Sequence, residues 1–214
     1  MNRVVERINK RYRNKKNKIL MIDKLLYIHI FSYWSAVYYY MYKYDQWSLN
    51  STKIMKSVFW NQVLYSPLYI IPYQYYPVPL STYNVVWQLP LIVILTDVIF
   101  YICHRYFHYN KRLYNKYHYR HHEYDPPIAG AALYAHPMEH IFINLLSTVA
   151  PMFIVRSNLI VSSIWTIIAS VNVVIAHSCT WPKDPHIVHH KYKKYNYGVG
   201  LLLMDRILQT YKEE

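Results

Sequence analysis

The chain is 214 residues long, 54% hydrophobic and 18% aromatic, with 24 Lys and Arg against 11 Asp and Glu, a formal charge of +13. With three glycines in all, Gly130, Gly198 and Gly200, neither a G-x-x-x-x-G-K nor a G-x-G-x-x-G phosphate loop can be written, which excludes the nucleotide-binding enzymes built on them. Cys103 and Cys179 are too few for a disulfide framework and lack the paired spacing of a zinc ribbon.

Residues 1–18 carry Arg3, Arg7, Lys10, Arg11, Arg13, Lys15, Lys16 and Lys18 against one acid, Glu6. Because a long apolar stretch follows directly, this run reads as a basic cytosolic leader flanking a membrane segment rather than as a nucleic-acid arm. No nucleic-acid partner is expected. A signal peptide fits poorly, since no small-residue cleavage site follows the apolar stretch.

The apolar stretches are Ile19–Tyr42, Ile54–Tyr73, Val85–Cys103, Ile141–Val155 and Leu159–Ala176. About 20 apolar residues cross a bilayer core. The first and third are long enough, and the last two read as a hairpin turning at Arg156–Asn158. The second contains Lys56, Asn61, Gln62, Pro67 and Pro72 and fits a helix lying in the interface or a broken one. Tyr38, Tyr39, Tyr40 and Tyr42 gather at the end of an apolar run, where an amphipathic ring sits at headgroup depth. The expectation is an all-α integral membrane bundle of about four spanning or hairpin helices under a histidine-rich helical cap. Its parts are a leader at 1–18, anchoring segments at 19–84 and a histidine-bearing domain at 85–214. If two of the first three stretches cross, the leader, His104 and His177 share the cytosolic face.

Eleven of the twelve histidines fall after residue 103. They form His104-Arg-Tyr-Phe-His108, His118-Tyr-Arg-His121-His122, His136-Pro-Met-Glu-His140 and His186-Ile-Val-His189-His190. Positions i, i+3 and i+4 share a helical face, so each cluster is expected to aim two or three imidazoles at one point. Neutral imidazole ligates Fe, Zn, Cu and Ni, and one metal needs more ligands than one helical turn offers. His104, His108, His118, His121, His122, His186, His189 and His190 suffice for two metals, with His177 and His136 as the natural additions. His29, alone in an early apolar stretch, reads as a hydrogen-bonded core residue. H-E-x-x-H, Glu-x-x-His and the deaminase H-x-E with P-C-x-x-C are all absent, leaving a histidine-only dimetal site. Asp97 shares a helical face with Tyr101, His104 and His108, and an acid so deep in an apolar stretch needs a partner. It is expected to orient a ligand imidazole, with Glu139, Asn196 and Asp205 as further supporting candidates. Pro137 fits the first turn of a helix that starts the hairpin.

In order, Asp97-Val-Ile-Phe-Tyr-Ile-Cys-His104-Arg-Tyr-Phe-His108, Tyr117-His118-Tyr-Arg-His121-His122-Glu123, Tyr134-Ala-His136-Pro-Met-Glu139, His186-Ile-Val-His189-His190, Asn196-Tyr-Gly198 and Met204-Asp205-Arg206 resemble the fatty acid hydroxylase/sterol desaturase superfamily. The nearest flavour is its sterol C4-methyl oxidase (methylsterol monooxygenase) branch, and the likeness spans residues 85–212. It implies an integral membrane enzyme, usually of the endoplasmic reticulum, that oxidises unactivated C–H bonds of a membrane lipid, sterol or fatty acyl, by hydroxylation, desaturation or demethylation. It further implies two iron ions held by histidines, with zinc as a substitute acquired on purification. O2 is the oxidant, and electrons come from NAD(P)H through a separate reductase or cytochrome b5. The chain departs from the pattern at Met204-Asp205-Arg206-Ile207-Leu208-Gln209-Thr210, where the family commonly has W-D-R-[LI]-F-G-T. Two readings compete with an active oxygenase: an inactive relative that keeps the metal site, and a histidine-rich transport or metal-binding protein, which would distribute its polar groups along the spans.

Overall fold

The computed structural model describes residues 24–67, 83–180 and 184–213. The leader at 1–18, the start of the first apolar stretch and the end of the second lie outside them. Among the described residues every regular element is helical. Residues 24–43 form α1, Ser51–Tyr65 α2 and Asn84–Tyr109 α3; Pro137–Ile154 form α4, Leu159–His177 α5, Pro185–Tyr192 α6 and Leu203–Ile207 α7.

Three of these, α3, α4 and α5, are long and apolar enough to cross a membrane. At 1.5 Å per residue, the 26 residues of α3 reach about 39 Å, more than a bilayer core. The helices are patterned inside out relative to a soluble bundle. Val86, Leu91, Ile94 and Ile102 of α3, Phe142 and Ile154 of α4, and Ile167 and Ile168 of α5 are exposed. Gln88, Thr96, Asp97, Tyr101 and His104 of α3 are buried. Aliphatic side chains outside and polar ones within suit a solvent of lipid tails. The hairpin forms where expected. Asn158 starts α5, its Oδ1 accepting from the Val161 N–H at 3.1 Å, and Pro137 occupies the first turn of α4.

Two clusters mark the ends of the bundle. Leu25, Ile92, Met152, Val155 and Val161 pack at the end of the hairpin turn. Met41, Ile54, Val58, Ala129 and Val174 pack at the histidine end. Consequently α1 runs parallel to α5, with His29 Nδ1 2.8 Å from Ser170 Oγ and, just beyond α1, Gln46 Nε2 donating to the Ser178 carbonyl at 2.6 Å. Residue 24 therefore lies at the end opposite the histidines, as does Asn84.

Neither α1 nor α2, as far as they are described, is among the helices long and apolar enough to cross a membrane. The described part of the second stretch packs against α1. It descends from the histidine end as α2, because its polar side chains find partners inside. Asn61 Nδ2 donates to the Ala135 carbonyl at 2.9 Å, and Gln62 Oε1 accepts from Trp34 Nε1 at 2.8 Å. A buried amide with partners removes the main cost of threading it into the bundle.

Candidate metal centre

Nine histidines gather at one end in two groups. His104, His108, His118, His122 and His189 form one, and His121, His177, His186 and His190 the other; within each group the nearest ring nitrogens lie within 4.8 Å of one another. All are buried except His108, which is half-buried. The groups are neighbours: the ring centroids of His122 and His190 are 4.6 Å apart, and His118 and His121 stack at 5.6 Å.

The histidine spacing decides which imidazole goes where. His104 and His108 are four apart and share a group, as do His118 and His122, and His186 and His190. The third member of each H-x-x-H-H motif, His121 or His189, crosses to the other group. In α6, at 100° per residue, i+4 overshoots a full turn by about 40° while i+3 falls short by about 60°, so His190 and His189 stand on opposite sides of His186; the 118–122 segment, part π-turn and part 3₁₀ turn, makes the same division. The expectation that each cluster aims all its rings at one point is corrected accordingly: each motif serves both groups.

Local structure delivers these rings. His104 and His108 end α3 on its inner face. Asn110 Oδ1 then accepts from the Arg112 and Leu113 N–H groups at 3.0 and 3.1 Å, starting a short turn. That turn widens into a π-turn at Tyr114–His118 and tightens into a 3₁₀ turn at His121–Glu123. His177 is the last residue of α5. Asp184 Oδ1 accepts from the His186 N–H at 2.8 Å and starts α6, which ends at Lys193 with φ 60°.

In the five-histidine group the Nε2 atoms converge. His118 Nε2 is 2.8 Å from His108 Nε2, 3.0 Å from His104 Nε2 and 3.1 Å from His122 Nε2. Their outer nitrogens are braced. His104 Nδ1 donates to the Tyr197 carbonyl at 2.6 Å, His189 Nδ1 to the Tyr195 carbonyl at 2.7 Å, and His118 Nδ1 lies 2.9 Å from Glu139 Oε1. In the four-histidine group, His177 Nε2 is 3.3 Å from His121 Nε2 and 3.1 Å from His186 Nε2, and His177 Nδ1 donates to the Val173 carbonyl at 2.8 Å.

Burial pushes His118, His121, His122, His186 and His190 well below the usual imidazole range and His189 down to about 3, and the neighbouring imidazoles push most of them the same way. At neutral pH these rings are uncharged and present lone pairs. His189 Nε2 and both nitrogens of His190 are buried without a hydrogen-bond partner in the protein, each a cost of about 1–3 kcal/mol. Convergent neutral imidazoles whose outer nitrogens meet carbonyls and a carboxylate are the donor set of a borderline transition-metal site, so the residues fit such a group.

The other expected residues are placed as follows. His136 joins neither group; its Nδ1 accepts from the Met138 N–H at 3.2 Å, capping α4. Glu139 meets His118 as a supporting group. Asp97 makes no hydrogen bond to an imidazole: its Oδ2 accepts from the Met204 N–H at 3.0 Å, tying α3 to α7. Asp205 accepts from the Tyr197 and Gly198 N–H groups at 2.8 and 2.6 Å, and Asn196 clamps the Pro185 carbonyl and both backbone groups of Lys212. These three acts are indirect, fixing the loop whose carbonyls hold His104 and His189. A Cβ on Gly198 would sit 2.8 Å from Asp205 Oδ2, so this close approach needs glycine. The Tyr195 and Tyr197 carbonyls were missed by sequence reasoning, since every residue carries one and only the fold aims it.

The chain resembles Fatty acid hydroxylase ahd1 of Mycosarcoma maydis, 35% identical over 60% of this chain and 34% of that protein. It is 28% identical to the Delta(7)-sterol 5(6)-desaturase of Candida dubliniensis over 60% of this chain and 35% of that one. With Sphinganine C4-monooxygenase 2 of Arabidopsis thaliana it shares 30% identity over 58% and 54%. The chain thus spans about a third to a half of the length of these relatives. No solved structure matches it. Residues 89–210, more than half of the chain and all nine clustered histidines, match the family described as Fatty acid hydroxylase, and the chain belongs to that family.

Proposed function

We propose that the chain is an O2-dependent oxidoreductase of a membrane lipid, with the nine clustered histidines holding two iron ions. The observation that carries this reading is the paired, buried, histidine-only donor set at one end of a membrane bundle. Iron bound there supplies what zinc cannot, the transfer of electrons to O2 that oxidation of an unactivated C–H bond requires.

The protein's own contribution is positional. His104 and His189 are held in one tautomer, Nε2 inward, by the Tyr197 and Tyr195 carbonyls, and Glu139 Oε1 stands 2.9 Å from His118 Nδ1. Burial keeps the rings neutral and water out. A lipid enters from the bilayer, because α3, α4 and α5 are apolar outside and the groups sit at their common end. Lys111, Arg112, Lys116, Lys191 and Lys194 are exposed on the segments flanking the groups, a basic rim suited to an acidic electron donor such as cytochrome b5 or a reductase fed by NAD(P)H. This reading puts the histidine end in the cytosol and the bundle in the endoplasmic reticulum membrane.

The named relatives act on different lipids, a sterol and a sphingoid base among them. The motif likeness to the sterol C4-methyl oxidase branch makes a methylsterol one substrate to test. Metal analysis of the detergent-purified chain, iron and zinc measured separately, tests the reading together with product analysis after sterols and acyl lipids are supplied with a reductase. About two metals per chain, lost in a His121→Ala/His189→Ala double variant, and an oxidised lipid are the expected results. A chain that stays metal-free in iron-replete cells overturns it.

A further inference from the structure

Between α3, α4 and α5 lies a cavity of about 190 Å³, mostly apolar. One end is walled by Val93, Leu145 and Trp165, which belong to the cluster at the hairpin-turn end. The other is walled by Phe100, Leu133 and Val199–Leu201, and Phe100 packs edge-on against His104 with centroids 5.1 Å apart. The cavity thus runs from mid-bundle to Phe100, one ring away from His104 of the five-histidine group.

Two histidines outside both groups line it, His29 and His140. They differ in one respect. His29 is engaged on both sides, by Ser170 Oγ at 2.8 Å and Gln62 Nε2 at 3.2 Å. His140 is 1% exposed, and neither of its nitrogens has a hydrogen-bond partner among the described residues. A π-turn at His140–Leu145 begins at this residue, so Glu139 faces His118 while the next side chain faces the cavity. The side chains of Asn144 and Asn172 add neutral polar groups to the wall, and among the described residues no Lys, Arg, Asp or Glu lines it.

We propose that this cavity takes an uncharged lipid bearing a hydroxyl or carbonyl oxygen, with His140 as the hydrogen-bond partner of that oxygen. A bare hydrocarbon leaves both His140 nitrogens unsatisfied. A carboxylate or phosphate brings a charge into a wall with no cation to meet it, a far larger cost. An alcohol or carbonyl pairs with one of the two ring nitrogens and brings no charge. With His140 next to Glu139, the oxygen sits at the histidine end and the hydrocarbon extends towards Trp165. The proposal rests on the lipid-oxidation reading for its purpose but on the cavity wall for its chemistry.

The full chain is captured from mixed micelles holding equimolar matched pairs, hexadecan-1-ol with hexadecane and cholesterol with cholestane, with hexadecanoate as a third arm. Bound lipid is quantified by mass spectrometry. The expected result is an alcohol-to-alkane ratio of about ten or more in at least one pair, falling to about one in His140→Phe and partly restored in His140→Gln. Which pair shows the gap separates a sterol from a straight chain. Equal capture in both pairs, preferential capture of hexadecanoate, or an unchanged ratio in His140→Phe with its metal content intact each overturns the proposal. Because capture needs no turnover, a persistent ratio without any oxidised product defeats the oxidation reading alone, and product without a ratio defeats this one alone.

Discussion

The two histidine groups are built from the same motifs but braced unequally. In the five-histidine group three outer nitrogens meet a carboxylate or a carbonyl, two of the carbonyls belonging to a loop that is itself pinned by Asp205 and Asn196. In the four-histidine group the bond from His177 Nδ1 reaches only a carbonyl of its own helix, and the His186 and His190 Nδ1 atoms have no hydrogen-bond partner in the protein. Convergence of rings comes from spacing along a helix. Orientation of rings comes from distant chain segments, and it reaches His104 and His189 of the five-histidine group through the Tyr197 and Tyr195 carbonyls.

The largest effect expected from this asymmetry is on occupancy. His118→Ala/His122→Ala removes two rings from the five-histidine group and His186→Ala/His190→Ala two from the other. Each is expected to lower metal content from about two per chain to about one and to abolish lipid oxidation, read by elemental analysis and product formation. Loss of both metals in either variant would show that the groups do not fill separately.

A smaller and more selective effect is expected from Glu139→Gln, which keeps the shape and replaces the carboxyl group beside His118. Affinity of the five-histidine group should fall about 10–100-fold while the other weakens less, measured by competition with a graded chelator. Equal weakening of both would erase the distinction between them.

For Gly198→Ala, which drives a methyl group against Asp205 Oδ2, a loss of about 1–3 kcal/mol is expected from disrupted bonds to the Tyr197 and Gly198 amides. A lowered thermal midpoint and weaker binding at the five-histidine group should appear together; a stability loss alone would detach the loop from the site.

The gentlest probe is pH. Buried histidines outside the spans have folded-state values below those of the unfolded chain, so the unfolded chain binds more protons as pH falls through about 6.5. The metal-free chain should be fully stable above that value and progressively less so at pH 6 and 5, by thermal unfolding in detergent. A flat profile would contradict the burial of these rings.

Much of this was legible beforehand. The hairpin, the inner face shared by Asp97, Tyr101 and His104, and the histidines that converge all follow from period and composition. Three things were not. The division of the α6 rings between groups depends on the sign of the angular error at i+3 and i+4, which reading a shared face ignores. The direction of α1 is set by pairs such as His29 with Ser170, 141 residues apart. The partner of Asp97 is a backbone amide 107 residues on, so its position in the stretch said that it needed a partner without saying which.

The sharing of each H-x-x-H-H motif between groups has a consequence for how the chain acquires its ions. An ion captured by His104, His108, His118, His122 and His189 immobilises both the 118–122 turn and α6. The same act sets His121, His186 and His190 in place around His177, so the ordering entropy of the second capture is already spent. An ion in the first group would thus lower the ordering cost of binding in the second.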